Sequence, residues 1–104
     1  MYKRCQVLLS DWQVDFLKHC ADKYDFSFSE VIRIMISEAT LNVMFSLYPG
    51  HKVGIDTKEL AKIKKTVNNP NTNSEEVHKL ISKLYFESRK ATEFMMTQGK
   101  KRPE

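Results

Sequence analysis

Cysteine and histidine are scarce in this chain of 104 residues, which contains two cysteines and three histidines. The histidines (His19, His51 and His78) lie far apart, and there is no Cys-x-x-Cys pair. Structural metal sites usually need such close spacing, so we expect no metal site, no cofactor and no disulfide framework. Cys5 and Cys20 fall on apolar faces of the patterns described below, which indicates buried free thiols in a reducing compartment.

Long apolar runs are also absent. The longest apolar region, residues 31–48, is interrupted by Arg33, Glu38 and Asn42. A membrane-spanning helix needs about 20 predominantly apolar residues, so no membrane association is expected. The N-terminus shows no signal-peptide pattern, and we expect a cytoplasmic location.

The residue groups that carry catalysis are missing as well. The sequence shows no paired nucleophile and base, no pair of catalytic carboxylates and no glycine-rich phosphate loop, so we do not expect an enzyme.

The charge is distributed unevenly along the chain. Residues 1–48 hold five basic and six acidic side chains, a net charge of −1, and residues 49–104 have a net charge of +5, which together give the overall +4. A basic second half is compatible with contacts to nucleic-acid phosphates.

Residues 4–9 show the alternation typical of a β-strand. One face of this strand is expected to be buried and the other to face outward; the buried set is Cys5, Val7 and Leu9, and the outward set is Arg4, Gln6 and Leu8. A lone strand leaves its backbone groups unpaired, so the pattern predicts that two chains pair their strands about a two-fold axis. A two-stranded ribbon of this kind fits the major groove of DNA.

Two capped helical patterns follow. Ser10 and Gln13 form a capping box that opens a helix over residues 11–24. Trp12 and Phe16, four residues apart, form an aromatic strip beside its main apolar face. We expect the C-terminal helices to fold back and bury this strip.

The second helical pattern opens with the capping box of Ser27 and Glu30 and runs to Thr40 or beyond. Apolar residues occupy nearly every position of its first turns, so this helix is expected to be buried almost all round, as in a dimer core. The turn before it contains Asp25, a residue type that tolerates a left-handed backbone conformation.

The order and spacing of these elements, over about residues 3–40, resemble the ribbon-helix-helix family of dimeric DNA-binding proteins, the group of Arc, MetJ and CopG. The resemblance implies DNA base contacts from Arg4, Gln6 and Leu8, and DNA phosphate contacts from Lys3, Ser27, Phe28 and Ser29. The physical basis is that Arg pairs with guanine, Gln with adenine, and a helix N-terminus with phosphate. Leu8 departs from the family pattern, which usually has a polar residue there; it would touch a thymine methyl group, or the ribbon would serve another use.

The resemblance does not extend to the second half of the chain. Pro49 and Gly50 stop the second helix, and two further helices are expected, one opened by the capping box of Asp56 and Glu59 and one from about residue 73 or 74 to just before residue 99. The third helix carries lysines mostly on its outer side. They form either a solvated face or a DNA contact, and the sequence leaves both interpretations open. The residues concerned are Lys58, Lys62, Lys64 and Lys65.

The predicted fold class is therefore mainly α: a ribbon-helix-helix dimer, with one N-terminal strand per chain paired across a two-fold axis, plus two further C-terminal helices. Residues 1–48 would form the dimerisation and DNA-binding module, and residues 49–104 a helical extension that packs on it and ends in a basic tail. The expected function is that of a homodimeric, sequence-specific DNA-binding protein, most simply a transcriptional repressor, whose partners are double-stranded DNA and its own second copy.

Two other functions remain open. One is an accessory protein of plasmid transfer or partition, or an antitoxin, whose C-terminal helices bind a partner protein. The other is a protein-interaction module whose ribbon no longer reads DNA.

Overall fold

The computed structural model describes residues 2–98, and these residues form four helices. They are α1 (Asp11–Tyr24), α2 (Phe28–Leu47), α3 (Thr57–Val67) and α4 (Ser74–Gln98). The chain divides into two compact units, Met1–Ile32 (unit 1) and Arg33–Glu104 (unit 2). Unit 1 contains the N-terminal segment (residues 2–10), α1 and the start of α2; unit 2 contains the rest of α2, α3 and α4. The predicted boundary at residue 48 stays a prediction, and the predicted basic tail lies outside the described residues.

The described residues are mainly helical, as the sequence predicts, but the predicted strand is wrong. Residues 2–98 contain no β-strand, and the N-terminal segment precedes α1 without regular secondary structure. A strand needs hydrogen bonds to a second extended segment, and within residues 2–98 no hydrogen bond joins the backbone of residues 3–9 to another segment. The structure therefore does not have the strand pairing of the ribbon-helix-helix fold.

The predicted buried face of residues 4–9 is wrong for the same reason. Cys5 is exposed and Val7 is 72% exposed, whereas Leu9, next to the start of α1, is half-buried. Without a paired strand above a core, Cys5 and Val7 are not covered. Cys20, on α1, is half-buried, and both cysteines are free thiols.

The predicted bounds of α1 are confirmed. The Ser10 N–H donates a hydrogen bond to Gln13 Oε1 at 3.0 Å, which satisfies a backbone donor at the helix start. Asp25 ends the helix in the left-handed conformation, with φ 58°, and its N–H donates to the Ala21 carbonyl. The tolerance of Asp for this conformation is what allows a helix end without glycine.

Unit 1 leaves its aromatic strip exposed. Leu17 and Val31 are buried, but Trp12 is 70% exposed and Phe16 50% exposed. The prediction that this strip is buried is therefore wrong for the single chain.

The core of unit 2 is formed by one face each of α2, α3 and α4 and by the loop before α3. The apolar spacing of α3 and α4 predicts these faces correctly, because the residues at helical period on each are the buried ones. An ion pair between Lys64 and Glu38, at 3.4 Å, links α3 to α2, and an ion pair between Lys83 and Glu59 links α4 to α3. The buried apolar side chains of unit 2 are Ile34, Leu41, Met44, Ile55, Leu60, Ile63, Val67, Val77, Ile81, Leu84 and Ala91.

A buried carboxylate fixes the loop before α3. Glu87 of α4 is 6% exposed, and its Oε1 accepts the Gly54 N–H at 2.7 Å and lies 3.1 Å from Lys90 Nζ. A Cβ at residue 54 would lie 2.7 Å from Glu87 Cδ, so any side chain there would force the Glu87 carboxylate to move away from the Gly54 N–H. Burial raises the pKa of Glu87, but the Gly54 N–H and neighbouring ammonium groups, above all that of Lys90, lower it by more, and the pKa lies below its ordinary value of 4.5.

We expect this carboxylate to make the stability of the protein sensitive to acid. Because the folded-state pKa lies below 4.5, the stabilisation is present above that pH and is lost as the pH falls toward the folded-state value. Urea unfolding of the Glu87→Gln variant should therefore show less loss of unfolding free energy between neutral pH and the region below 4.5 than the unaltered protein shows.

The control is Glu93→Gln, which removes an exposed carboxylate from the same helix, where its one ion pair within residues 2–98 is with Arg89. Exposed pairs of this kind contribute little to stability. If the Glu87 and Glu93 variants showed the same pH dependence, the Glu87 contacts would not stabilise the loop.

Candidate nucleic-acid interface

The N-terminal segment presents the side chains that the sequence predicts as base contacts. Lys3, Arg4, Gln6 and Leu8 are all exposed, and Leu8 is fully so. Within residues 2–98 none of the four makes a hydrogen bond or an ion pair. The segment contains two basic residues and no acidic one. The polar groups of Lys3, Arg4 and Gln6 are therefore available to a ligand of negative charge.

The start of α2 has two backbone N–H groups that are free within the described residues, those of Phe28 and Ser29, beside two that are used in a capping box. Glu30 N–H donates to Ser27 Oγ at 3.1 Å, and Ser27 N–H donates to Glu30 Oε1 at 3.4 Å, so the predicted capping box is confirmed. The N–H groups of Phe28 and Ser29 have no acceptor among residues 2–98. Unsatisfied N–H groups at the positive end of a helix dipole bind anions, phosphate above all.

Both groups of predicted site residues belong to unit 1. Within the described residues no hydrogen bond or ion pair connects the N-terminal segment with Ser27, Phe28 or Ser29. They are thus two separate sets of donors. One offers a guanidinium, a carboxamide and an ammonium group, and the other offers backbone N–H groups. The guanidinium and carboxamide groups suit base edges, and the ammonium group and the backbone N–H groups suit phosphate oxygens.

An exposed apolar stripe runs along α2 within unit 2. Ile36 is 60% exposed, Val43 46% and Leu47 65%, and their spacing of seven and four residues places them on one side of the helix. We call these three residues the α2 face. The prediction that α2 is buried almost all round is therefore wrong, because these three side chains are exposed among residues 2–98.

Unit 2 also contains a cleft of about 450 Å³ beside the loop before α3. Its two carboxylates are engaged in the fold: Asp56 accepts the Glu59 N–H at 2.7 Å, and Glu59 pairs with Lys83 and raises the pKa of that lysine through their hydrogen bond. The His51 ring stacks on Phe94, with the ring centroids 3.6 Å apart. Within residues 2–98 no three His, Cys, Asp or Glu side chains are grouped so as to hold a metal ion.

Sequence reasoning missed the role of Glu87. The available signal is its position: it lies three residues after Leu84 and four before Ala91, on the apolar side of α4. A carboxylate at a core position needs partners there. The loop residue that supplies one, Gly54, is 33 positions away in the chain, and no local pattern indicates it.

Comparison with known proteins adds no family. No protein-family model, no curated protein and no solved structure matches this chain. None of the helices within residues 2–98 is long and apolar enough to cross a membrane.

Proposed function

We propose that this protein is a homodimeric, sequence-specific DNA-binding protein, most simply a transcriptional repressor. The observation that carries the proposal is the N-terminal segment, where Arg4 and Gln6 are exposed and free of partners within the described residues. The Arg side chain pairs bidentately with guanine in the major groove, and the Gln side chain with adenine.

The phosphate contacts come from different groups. Lys3 supplies a cation next to the base-reading residues, and the free N–H groups of Phe28 and Ser29 supply a phosphate site at the start of α2. Ser27 acts indirectly, because its hydroxyl caps the helix. Contacts of this kind set the orientation of the protein on DNA, whereas Arg4 and Gln6 set the sequence preference.

The second copy of the chain covers the α2 face. The face consists of Ile36, Val43 and Leu47, and the nearest carboxylate on α2, Glu38, is held by Lys64 in an ion pair. Two copies of this face placed about a two-fold axis bring apolar side chains together and no like charges. A folded protein with this many exposed large apolar side chains normally buries them in an interface. A dimer also doubles the DNA contacts and relates them by two-fold symmetry.

Selection from a pool of random-sequence DNA duplexes tests the proposal. The protein should enrich a site in which a short sequence and its inverted repeat are both present, because two identical chains read it. The Arg4→Ala/Gln6→Ala variant should enrich no sequence. If the unaltered protein enriched none either, it would not be a sequence-specific DNA-binding protein, and the protein-interaction alternative would take its place.

A further inference from the structure

The exposed side of α3 carries three lysines in a row. Lys58, Lys62 and Lys65 are spaced by four and three residues, which places them on one side of the helix. The opposite side holds the buried Leu60 and Ile63. We call the three lysines the α3 stripe; with a rise of 1.5 Å per residue it extends about 10 Å along the helix.

The α3 stripe differs from neighbouring cations in having no acidic partner. In unit 2, Lys64 pairs with Glu38, and Lys83 and Lys90 also pair with carboxylates, Glu59 and Glu87. Within residues 2–98 none of the three stripe lysines makes an ion pair or a hydrogen bond.

Helix stability does not account for the whole stripe. Lys58 lies in the first turn of α3, the end at which the helix dipole disfavours a cation. Lys65 lies in the last turn, where the dipole favours one. The ammonium group of Lys58 therefore does not stabilise the helix, but it can bind a ligand of negative charge.

We propose that the α3 stripe is a second contact with the DNA backbone. The inference rests on the proposed function, because it takes DNA as the ligand. It adds a DNA-contacting surface outside residues 3–40, the part of the chain that resembles the ribbon-helix-helix family. Three ammonium groups along about 10 Å suit consecutive phosphates, because each strand of duplex DNA carries one phosphate per about 3.4 Å of the duplex axis. Ammonium groups on flexible stems bind phosphates without reading bases. The stripe therefore adds affinity and no sequence preference.

The salt dependence of binding measures this contact directly. Each neutralised phosphate adds about 0.9 to the slope of the logarithm of the binding constant against the logarithm of salt concentration. The Lys58→Gln/Lys62→Gln/Lys65→Gln variant should therefore have a shallower slope, by up to about 2.7 for each bound chain. The change should be the same on the selected duplex and on a scrambled duplex of equal composition, measured by fluorescence anisotropy.

The matched control is Lys18→Gln/Lys52→Gln/Lys79→Gln. These lysines are also exposed and outside any ion pair of the described residues, but they lie on different elements. The control loses the same net charge and should keep the slope of the unaltered protein. Replacement of the stripe lysines by arginine should also keep it, which would show that the glutamine variant acts through charge and not through folding.

The outcomes separate the two proposals. If the unaltered protein binds DNA and the stripe variant keeps its slope, or loses no more than the control, the stripe is a solvated surface and only this inference is overturned. If the unaltered protein binds neither duplex at any salt concentration, the proposed function is overturned and the inference with it. A shallower slope for the stripe variant alone supports both.

Discussion

Replacement of Arg4 by alanine is expected to weaken binding to the selected duplex by roughly 1–3 kcal/mol, about 5- to 140-fold, with much less effect on a scrambled duplex. The reason is that the guanidinium group is exposed and unpaired within the described residues, so its hydrogen-bonding capacity is available to a guanine edge. Titration of both duplexes at one salt concentration gives the two losses.

Two variants control for charge and for position. Arg4→Lys keeps the charge but loses the planar fork, so it should lose discrimination and keep most of the affinity for scrambled DNA. Lys3→Ala should weaken binding to both duplexes by similar factors, as expected for a phosphate contact. If Arg4→Ala also weakened both equally, Arg4 would be a phosphate contact and another residue would read the sequence.

The Ile36→Glu substitution is expected to convert the dimer into a monomer. Ile36 is 60% exposed in the single chain, so the change is tolerated there, but in the dimer it places a carboxylate from each chain in an apolar interface. Burial of an unpaired charge costs several kcal/mol for each ion. A penalty of about 4 kcal/mol raises the dissociation constant of the dimer roughly 1,000-fold. Sedimentation at micromolar concentration should give the mass of two chains before the change and of one chain after it.

The control for this variant is Asn42→Glu. Asn42 is also exposed on α2 but lies about a third of a turn away from the α2 face. This variant should remain a dimer. If Ile36→Glu sedimented like the unaltered protein, the α2 face would not be the dimer interface.

The helices could be predicted from the sequence because their signals are local. The capping boxes at Ser10 and Ser27 and the apolar spacing on α3 and α4 each depend on residues within a few turns. The left-handed turn at Asp25 follows from the same kind of information. All of these features are present in the structure.

The prediction of a strand at residues 4–9 was wrong because a strand depends on a hydrogen-bonding partner that is distant in the sequence. Alternation at residues 4–9 describes which side chains would share a face, but it does not supply the hydrogen bonds that make a strand. The predicted burial of Val7 and of the aromatic strip (Trp12 and Phe16) was wrong for the same reason, because an apolar residue in the sequence does not show which other residues cover it. The Gly54 contact with Glu87 likewise joins residues far apart in the chain.

The candidate site, too, could be predicted from the sequence only in part. The sequence identifies Arg4, Gln6 and the start of α2 as potential donors, since their chemistry is a property of the residue type. It does not show that the lysines of α3 separate into paired and unpaired ones. That distinction depends on Glu38, which α2 places within 3.4 Å of Lys64 but near none of the stripe lysines.

The ratio of two dissociation constants tests the central claim most directly. The unaltered protein is titrated, at physiological salt, into the selected duplex and into a scrambled duplex of the same composition, and the mass of each complex is measured. Sequence-specific binding by a dimer predicts a ratio of at least about 1,000 in favour of the selected duplex, with two chains in that complex. A ratio near one, or a complex with a single chain, would contradict the claim.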